Sequence, residues 1–74
     1  MPSLADDDIA VADLPKVVTQ AILKRYPSAK LIKAERETDS PGKVHYEVNI
    51  RTGTERLELK IHSDGTIHQV ENDD

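Results

Sequence analysis

The fold is decided by two consecutive stretches, VHYEVNIR at residues 44–51 and TERLELKIH at residues 54–62. In both stretches apolar and polar side chains alternate, which is the pattern of a strand with one buried and one solvated face. The apolar series consists of Val44, Tyr46, Val48, Ile50, Leu57, Leu59 and Ile61. The alternation therefore predicts an antiparallel hairpin with a polar outer face.

Two weaker strands flank this hairpin. Residues 30–37, KLIKAERE, predict a first strand whose register stays open, because the adjacent Leu31 and Ile32 point to opposite faces. After a turn at Ser63-Asp64-Gly65, the segment TIHQVE at residues 66–71 predicts a last strand. Together the four strands predict an antiparallel meander.

A helix is predicted ahead of the strands. Asp13 suits the N-cap and Pro15 suits the first turn, while Pro27 disfavours helical geometry at Tyr26 and ends the helix there. The apolar side of the helix consists of Leu14, Val17, Val18, Ala21 and Ile22, and we expect it to cover Leu57, Leu59 and Ile61. The predicted fold class is α+β, with one N-terminal helix packed on a four-stranded antiparallel meander sheet.

The domain organisation follows from length and composition. We expect a flexible acidic tail over residues 1–12, one domain over residues 13–71 and a frayed end over residues 72–74. Only 36% of the 74 residues are apolar and cysteine is absent, so the core must be stabilised by packing alone. A homodimer is one way to enlarge such a small core.

Charge and residue types exclude several classes of function. A net charge of -4 without a basic stripe argues against nucleic acid as a partner, and no segment is long and apolar enough to insert into a membrane. The serines fall in the predicted tail or in turns, which does not favour nucleophilic catalysis. Glu47 and Glu58 face outward on neighbouring strands, so water screens their charges from each other. The pair therefore lacks the strongly raised carboxyl pKa that acid–base catalysis uses. We therefore expect no enzymatic activity.

The order of the elements is similar to that of a known family. The segments LPKVVTQAILKRYPSAKLIKAERE, YEVNI, LELKI, DGTI and VE, between Leu14 and Glu71, together resemble the PepSY-like, beta-lactamase-inhibitor-like domains. The resemblance implies a single PepSY-like repeat in a bacterial protein that is periplasmic or secreted after removal of a signal peptide. The opening MPSLADDDIAVAD has no signal-like apolar run and suits a cytoplasmic protein equally well.

The resemblance also implies a non-enzymatic, protein-binding or inhibitor-like module, whose partner is a protein such as a peptidase or another enzyme. The family pattern supplies no catalytic residues. We expect the partner to meet either a sheet edge, through main-chain hydrogen bonds, or the polar sheet face. The polar face is predicted to present His45, Glu47, Asn49, Arg51, Arg56, Glu58, Lys60, His62 and His68.

The three histidines form an alternative site on this face. A two-residue turn at Thr52-Gly53 places His45 opposite Lys60, and the next loop leaves His62 and His68 on the same face. His62 is then the neighbour shared by the other two imidazoles.

Imidazoles without thiolates suit Cu(II) or Zn(II). The alternative hypothesis is therefore a small periplasmic Cu(II)- or Zn(II)-binding protein that uses His45, His62 and His68. The leading hypothesis, protein binding, requires no cofactor.

Overall fold

A computed structural model describes residues 5–73 and shows one antiparallel sheet with a single α-helix in this part of the chain. The elements in chain order are β1 (Ala5–Ile9), a 3₁₀ turn (Val11–Asp13), α1 (Lys16–Arg25), β2 (Lys30–Ser40), β3 (Lys43–Thr52), β4 (Glu55–His62) and β5 (Ile67–Asn72). The strands follow one another across the sheet in the order β1-β2-β3-β4-β5. Among the described residues, no helix has the length and apolar character needed to cross a membrane.

The α+β character is as predicted, but the four-stranded sheet with an N-terminal helix is wrong, because a fifth strand precedes the helix. β1 forms within the acidic segment predicted as a tail and pairs with β2, with Ile9 opposite Ala34. Ile9 packs against the core, and Asp7 makes an ion pair of 3.0 Å with Arg36. Charged side chains are typical of edge strands. Residues 1–4 and residue 74 of the predicted termini lie outside the described residues.

The helix begins later than predicted. Asp13 lies in the 3₁₀ turn and makes no capping contact, and α1 starts at Lys16 directly after Pro15. The predicted end is confirmed, since Arg25 is the last helical residue and Tyr26 leaves helical geometry.

The core lies between α1 and the inner face of the sheet. Its buried apolar residues are Leu14, Val18, Ile22, Ala34, Tyr46, Val48, Ile50, Leu59 and Ile61. The predicted packing of the β4 residues against Val18 and Ile22 is confirmed for Leu59 and Ile61. Val17, predicted on the same side of the helix, is 43% exposed. The packed stripe of α1 is therefore narrower than predicted.

The turn between β3 and β4 lies one residue later than predicted. Thr52 pairs with Glu55, so the two loop residues are Gly53 and Thr54. Gly53 has φ +64°, the left-handed region that the first loop position of a type II′ hairpin turn requires. Every residue of β4 therefore shifts its partner on β3 by two positions. This shift keeps each side chain on its predicted face.

The register of β2 could not be read from the sequence because the strand contains a bulge. Leu31 pairs with Ile50 and the next pair is Lys33 with Asn49, which leaves Ile32 as the extra residue. Leu31 is partly buried against the core, whereas Ile32 is 56% exposed. Two adjacent apolar residues thus reach different surroundings. A second bulge in β2 lies between Thr38 and Ser40 and leaves Asp39 as the extra residue.

A third irregularity of the sheet lies between β4 and β5. Ile61 pairs with Ile67, and the next pair is Lys60 with Gln69. His68 is therefore the extra residue on β5. This bulge changes how His68 meets the other histidines.

Candidate metal centre

The candidate metal centre lies on the polar face of the hairpin formed by β2 and β3. Glu37 is directly opposite His45, and Glu35 is directly opposite Glu47. Residues opposite one another in an antiparallel pair share a face, so these side chains all lie on the side of the sheet away from α1. Glu37, His45 and Glu47 each offer one ligand atom, and these three atoms lie within 4.8 Å of one another.

His45 is the buried polar residue of this group, with 8% of its surface exposed. Its Nδ1 lies 2.8 Å from Oδ2 of Asp39, which can accept the Nδ1 proton. Its Nε2 lies 2.8 Å from Oε1 of Glu37, but without the geometry of a hydrogen bond. Nε2 is therefore buried and has no hydrogen-bond partner among the described residues. In metal-ligating histidines a carboxylate accepts from one ring nitrogen and the second nitrogen is the ligand atom.

Two carboxylates share the space beside this imidazole. A carboxyl–carboxyl hydrogen bond with Glu37, partial burial and the charge of Glu37 raise the pKa of Glu47. A hydrogen bond with Glu58 and the charge of the neighbouring Lys60 oppose this effect and lower the pKa of Glu47. Partial burial and the charge of Glu47 also raise the pKa of Glu58 on the next strand. Crowded carboxylates favour a bound cation, either a proton or a metal ion.

The structure brings the three predicted histidines together. His45 is directly opposite His62, and the corrected turn explains why it is not opposite Lys60. The rings of His62 and His68 stack with centroids 4.1 Å apart and planes at 20°. His68 also meets His45 edge-on, with centroids 5.9 Å apart and planes at 86°. His68 thus contacts both other rings, the role that the sequence predicted for His62.

These ring contacts are not those of a formed three-histidine site. Nitrogen lone pairs lie in the plane of each imidazole, so two stacked rings direct their lone pairs side by side rather than toward one point. His62 or His68 must therefore rotate before both can bind one ion. Partial desolvation of the ring, then the charges of His62 and His45, lower the pKa of His68. This shift favours a neutral His68 at pH 7.

The remaining residues of the predicted surface divide between the centre and the far end of the polar face. Lys60 lies opposite Glu47, and Asn49 lies opposite Glu58. Arg51 and Arg56 lie opposite each other at the end of the hairpin where Gly53 and Thr54 form the turn. The predicted protein-binding surface is therefore one continuous face with two different ends.

Sequence reasoning missed Glu37 and Asp39. Both lie on β2, whose register the bulge concealed. A signal was nevertheless present, because residues 35, 37 and 39 in ERETD are acidic at a spacing of two, which places them on one face of a strand.

No family model, no curated protein and no solved structure matches this chain. The resemblance to PepSY-like domains therefore remains a prediction from the sequence, as do the export, the inhibitor-like role and the enzyme partner that it implies.

Proposed function

We propose that this protein binds a divalent transition-metal ion, preferably Zn(II), through Glu37, His45 and Glu47. The observation that supports this function best is the buried Nε2 of His45, which lies 2.8 Å from the Glu37 carboxylate and has no hydrogen-bond partner among the described residues. Imidazole combined with carboxylate oxygens suits Zn(II) and its neighbours, whereas Ca(II) and Mg(II) prefer oxygen ligands alone. Three protein ligands leave a coordination position for water or for a further ligand.

A proton is the competing cation. A second proton on His45 would pair with the Glu37 carboxylate and neutralise the same charges without a metal. Added metal at constant pH distinguishes the two states. A metal centre must show saturable binding and must stabilise the fold in proportion to occupancy, whereas a protonated imidazolium must show neither.

Calorimetric titration of the metal-free protein at neutral pH tests the proposal. We expect one Zn(II) per chain, weaker Mn(II) and no measurable Ca(II), together with a rise in melting temperature on adding Zn(II). His45→Ala, Glu37→Gln and Glu47→Gln should each weaken Zn(II) binding by more than about tenfold. Glu55→Gln is the matched control, because Glu55 is an exposed glutamate of the same sheet outside the site. Wild-type protein that binds Zn(II) no better than His45→Ala would contradict the proposal.

The three-histidine site predicted from the sequence is the alternative ligand set. With this set, His62→Ala should weaken binding more than either His45→Ala or His68→Ala, and Glu47→Gln should have no effect. The site proposed here requires the reverse, a large effect of Glu47→Gln and small effects of His62→Ala and His68→Ala. The same titrations, repeated with Cu(II), therefore decide which residues hold the ion.

Protein recognition is the second candidate function, and it is favoured by the free edge of β5. β5 pairs with β4 alone within the described sheet, so its outer edge offers main-chain groups to an added strand. β1, at the other edge, carries the exposed Asp7 and Asp8, whose charges discourage such pairing. Hydrogen exchange tests this candidate, since a strand added by a partner must protect the β5 amides more than those of β1.

A further inference from the structure

The end of the polar face away from His45 carries a row of positive charges. Lys30 is opposite Arg51, and Arg51 is opposite Arg56, so the three cations cross β2, β3 and β4 in one line. All three are exposed, and none makes an ion pair with another described residue. Like charges directly opposite one another destabilise a sheet. A bound anion would relieve this repulsion.

A cleft of about 70 Å³ opens beside the two arginines. Its walls include Ile32, Asn49, Arg51, Arg56 and Asp73. The β2 bulge brings Ile32 to this position, and at 56% Ile32 is the most exposed large apolar side chain among the described residues. The cleft therefore combines an apolar wall with two guanidinium groups and an amide.

We infer that this cleft binds a small organic monocarboxylate, with the carboxylate between Arg51 and Arg56 and the apolar part against Ile32. Guanidinium groups bind carboxylates through paired, charge-assisted hydrogen bonds, and the Asn49 side chain can donate another. The Asp73 carboxylate on the cleft wall repels anions in proportion to their charge, so it disfavours phosphate more than a monocarboxylate. The inference does not depend on the metal centre, since no residue of the cleft belongs to it.

Amide chemical shifts of the full ¹⁵N-labelled chain test the inference, with N-acetylleucine as the probe at constant ionic strength. N-acetylleucine carries one carboxylate and one branched apolar side chain, matching the two parts of the cleft. We expect saturable shifts at Ile32, Asn49, Arg51 and Arg56. N-acetylleucine methyl ester has the same apolar group without the charge and should cause no saturable shift.

Two variants should weaken binding of N-acetylleucine by about tenfold, Arg51→Gln and Arg56→Gln. Arg25→Gln is the matched control, because Arg25 is an exposed arginine on α1, outside the cleft. The assignment is overturned if the ester binds as tightly as the acid, if inorganic phosphate binds more tightly than N-acetylleucine, or if Arg51→Gln leaves the titration unchanged. Retained dispersion of the amide spectrum verifies that each variant is folded.

Discussion

The two ends of the polar sheet face carry clusters of opposite charge, and the two clusters differ in how far they are buried. At one end Glu37 and Glu47 are partly buried around His45, whose Nε2 is out of contact with solvent. At the other end Arg51 and Arg56 are exposed. Water screens exposed charges, so the arginine row can exist without a ligand at little cost.

Buried polar groups are different, because each needs a partner in place of water. The acidic end therefore has the stronger requirement for a bound cation, and the basic end the weaker requirement for an anion. We accordingly expect tighter binding of Zn(II) at the acidic end than of a carboxylate at the basic end.

Truncating a core side chain beneath the polar face has the largest expected effect, and this effect is on stability. Leu59 is fully buried and lies opposite Val48 under the middle of the polar face. Leu59→Ala should lower the free energy of unfolding by about 2–5 kcal/mol, because it removes apolar contacts and leaves a cavity. Urea unfolding followed by circular dichroism measures the loss. A change below about 0.5 kcal/mol, the range of surface substitutions, would show that Leu59 does not support the sheet.

Asp39→Asn should change ligand binding at the acidic end alone, and its expected effect is intermediate in size. The Asp39 carboxylate accepts from Nδ1 of His45 and so directs Nε2 toward the ligand position. Its loss should weaken Zn(II) binding by about tenfold and leave N-acetylleucine binding unchanged.

Calorimetry and chemical-shift titration of the same variant measure both effects. Asp39→Glu keeps the negative acceptor and should restore part of the Zn(II) affinity, which a purely steric role of Asp39 does not predict. If Asp39→Asn weakens both ligands equally, the two ends are not independent.

Asp64→Ala has the smallest expected effect and serves as a reference outside both ends. Asp64 Oδ1 accepts from the Thr66 backbone N–H at 2.8 Å, and this hydrogen bond lowers the pKa of Asp64. Because this pKa is lower in the folded state, the ionised carboxylate stabilises the fold at pH values above the ordinary pKa of 3.8. The stabilisation is lost as the pH falls through the lowered pKa.

Asp64→Ala should therefore be slightly less stable than the wild type at neutral pH, and the difference should shrink in acid. Urea unfolding at a series of pH values from neutral into the acid range measures this trend. A difference that does not change with pH would assign the effect to the turn geometry rather than to the carboxylate charge. Both ligands should bind the variant as they bind the wild type.

Much of the fold could be predicted because β3 and β4 alternate without interruption. Their alternation defines the buried face on which Leu59 and Ile61 meet α1. β1 could not be predicted, since three consecutive aspartates conceal a period of two and its stability depends on tertiary contacts made by Asp7 and Ile9. Propensity and periodicity contain no information on such contacts.

The candidate site was less predictable than the fold because it depends on registers between strands. The proximity of His45, His62 and His68 could be predicted, since a shift of two residues keeps every side chain on its face. Their ring contacts could not, because the bulge at His68 depends on the pairing of β4 with β5. The carboxylates of Glu37 and Asp39 were missed because the bulge at Ile32 left the β2 register open.

The short connection between β2 and β3 has a consequence for the kinetics of folding. Only Pro41 and Gly42 separate these strands, and Gly42 has the positive φ that the second central position of a type II turn requires. All the proposed ligands thus lie on one local hairpin, and local hairpins form within about 1–10 μs. Because α1 lies between β1 and β2 in the chain, the pairing of these two strands joins residues that are farther apart in sequence and forms later than the hairpin. An ion held by the hairpin would therefore be bound before the last strand docks, and Zn(II) should accelerate folding more than it slows unfolding.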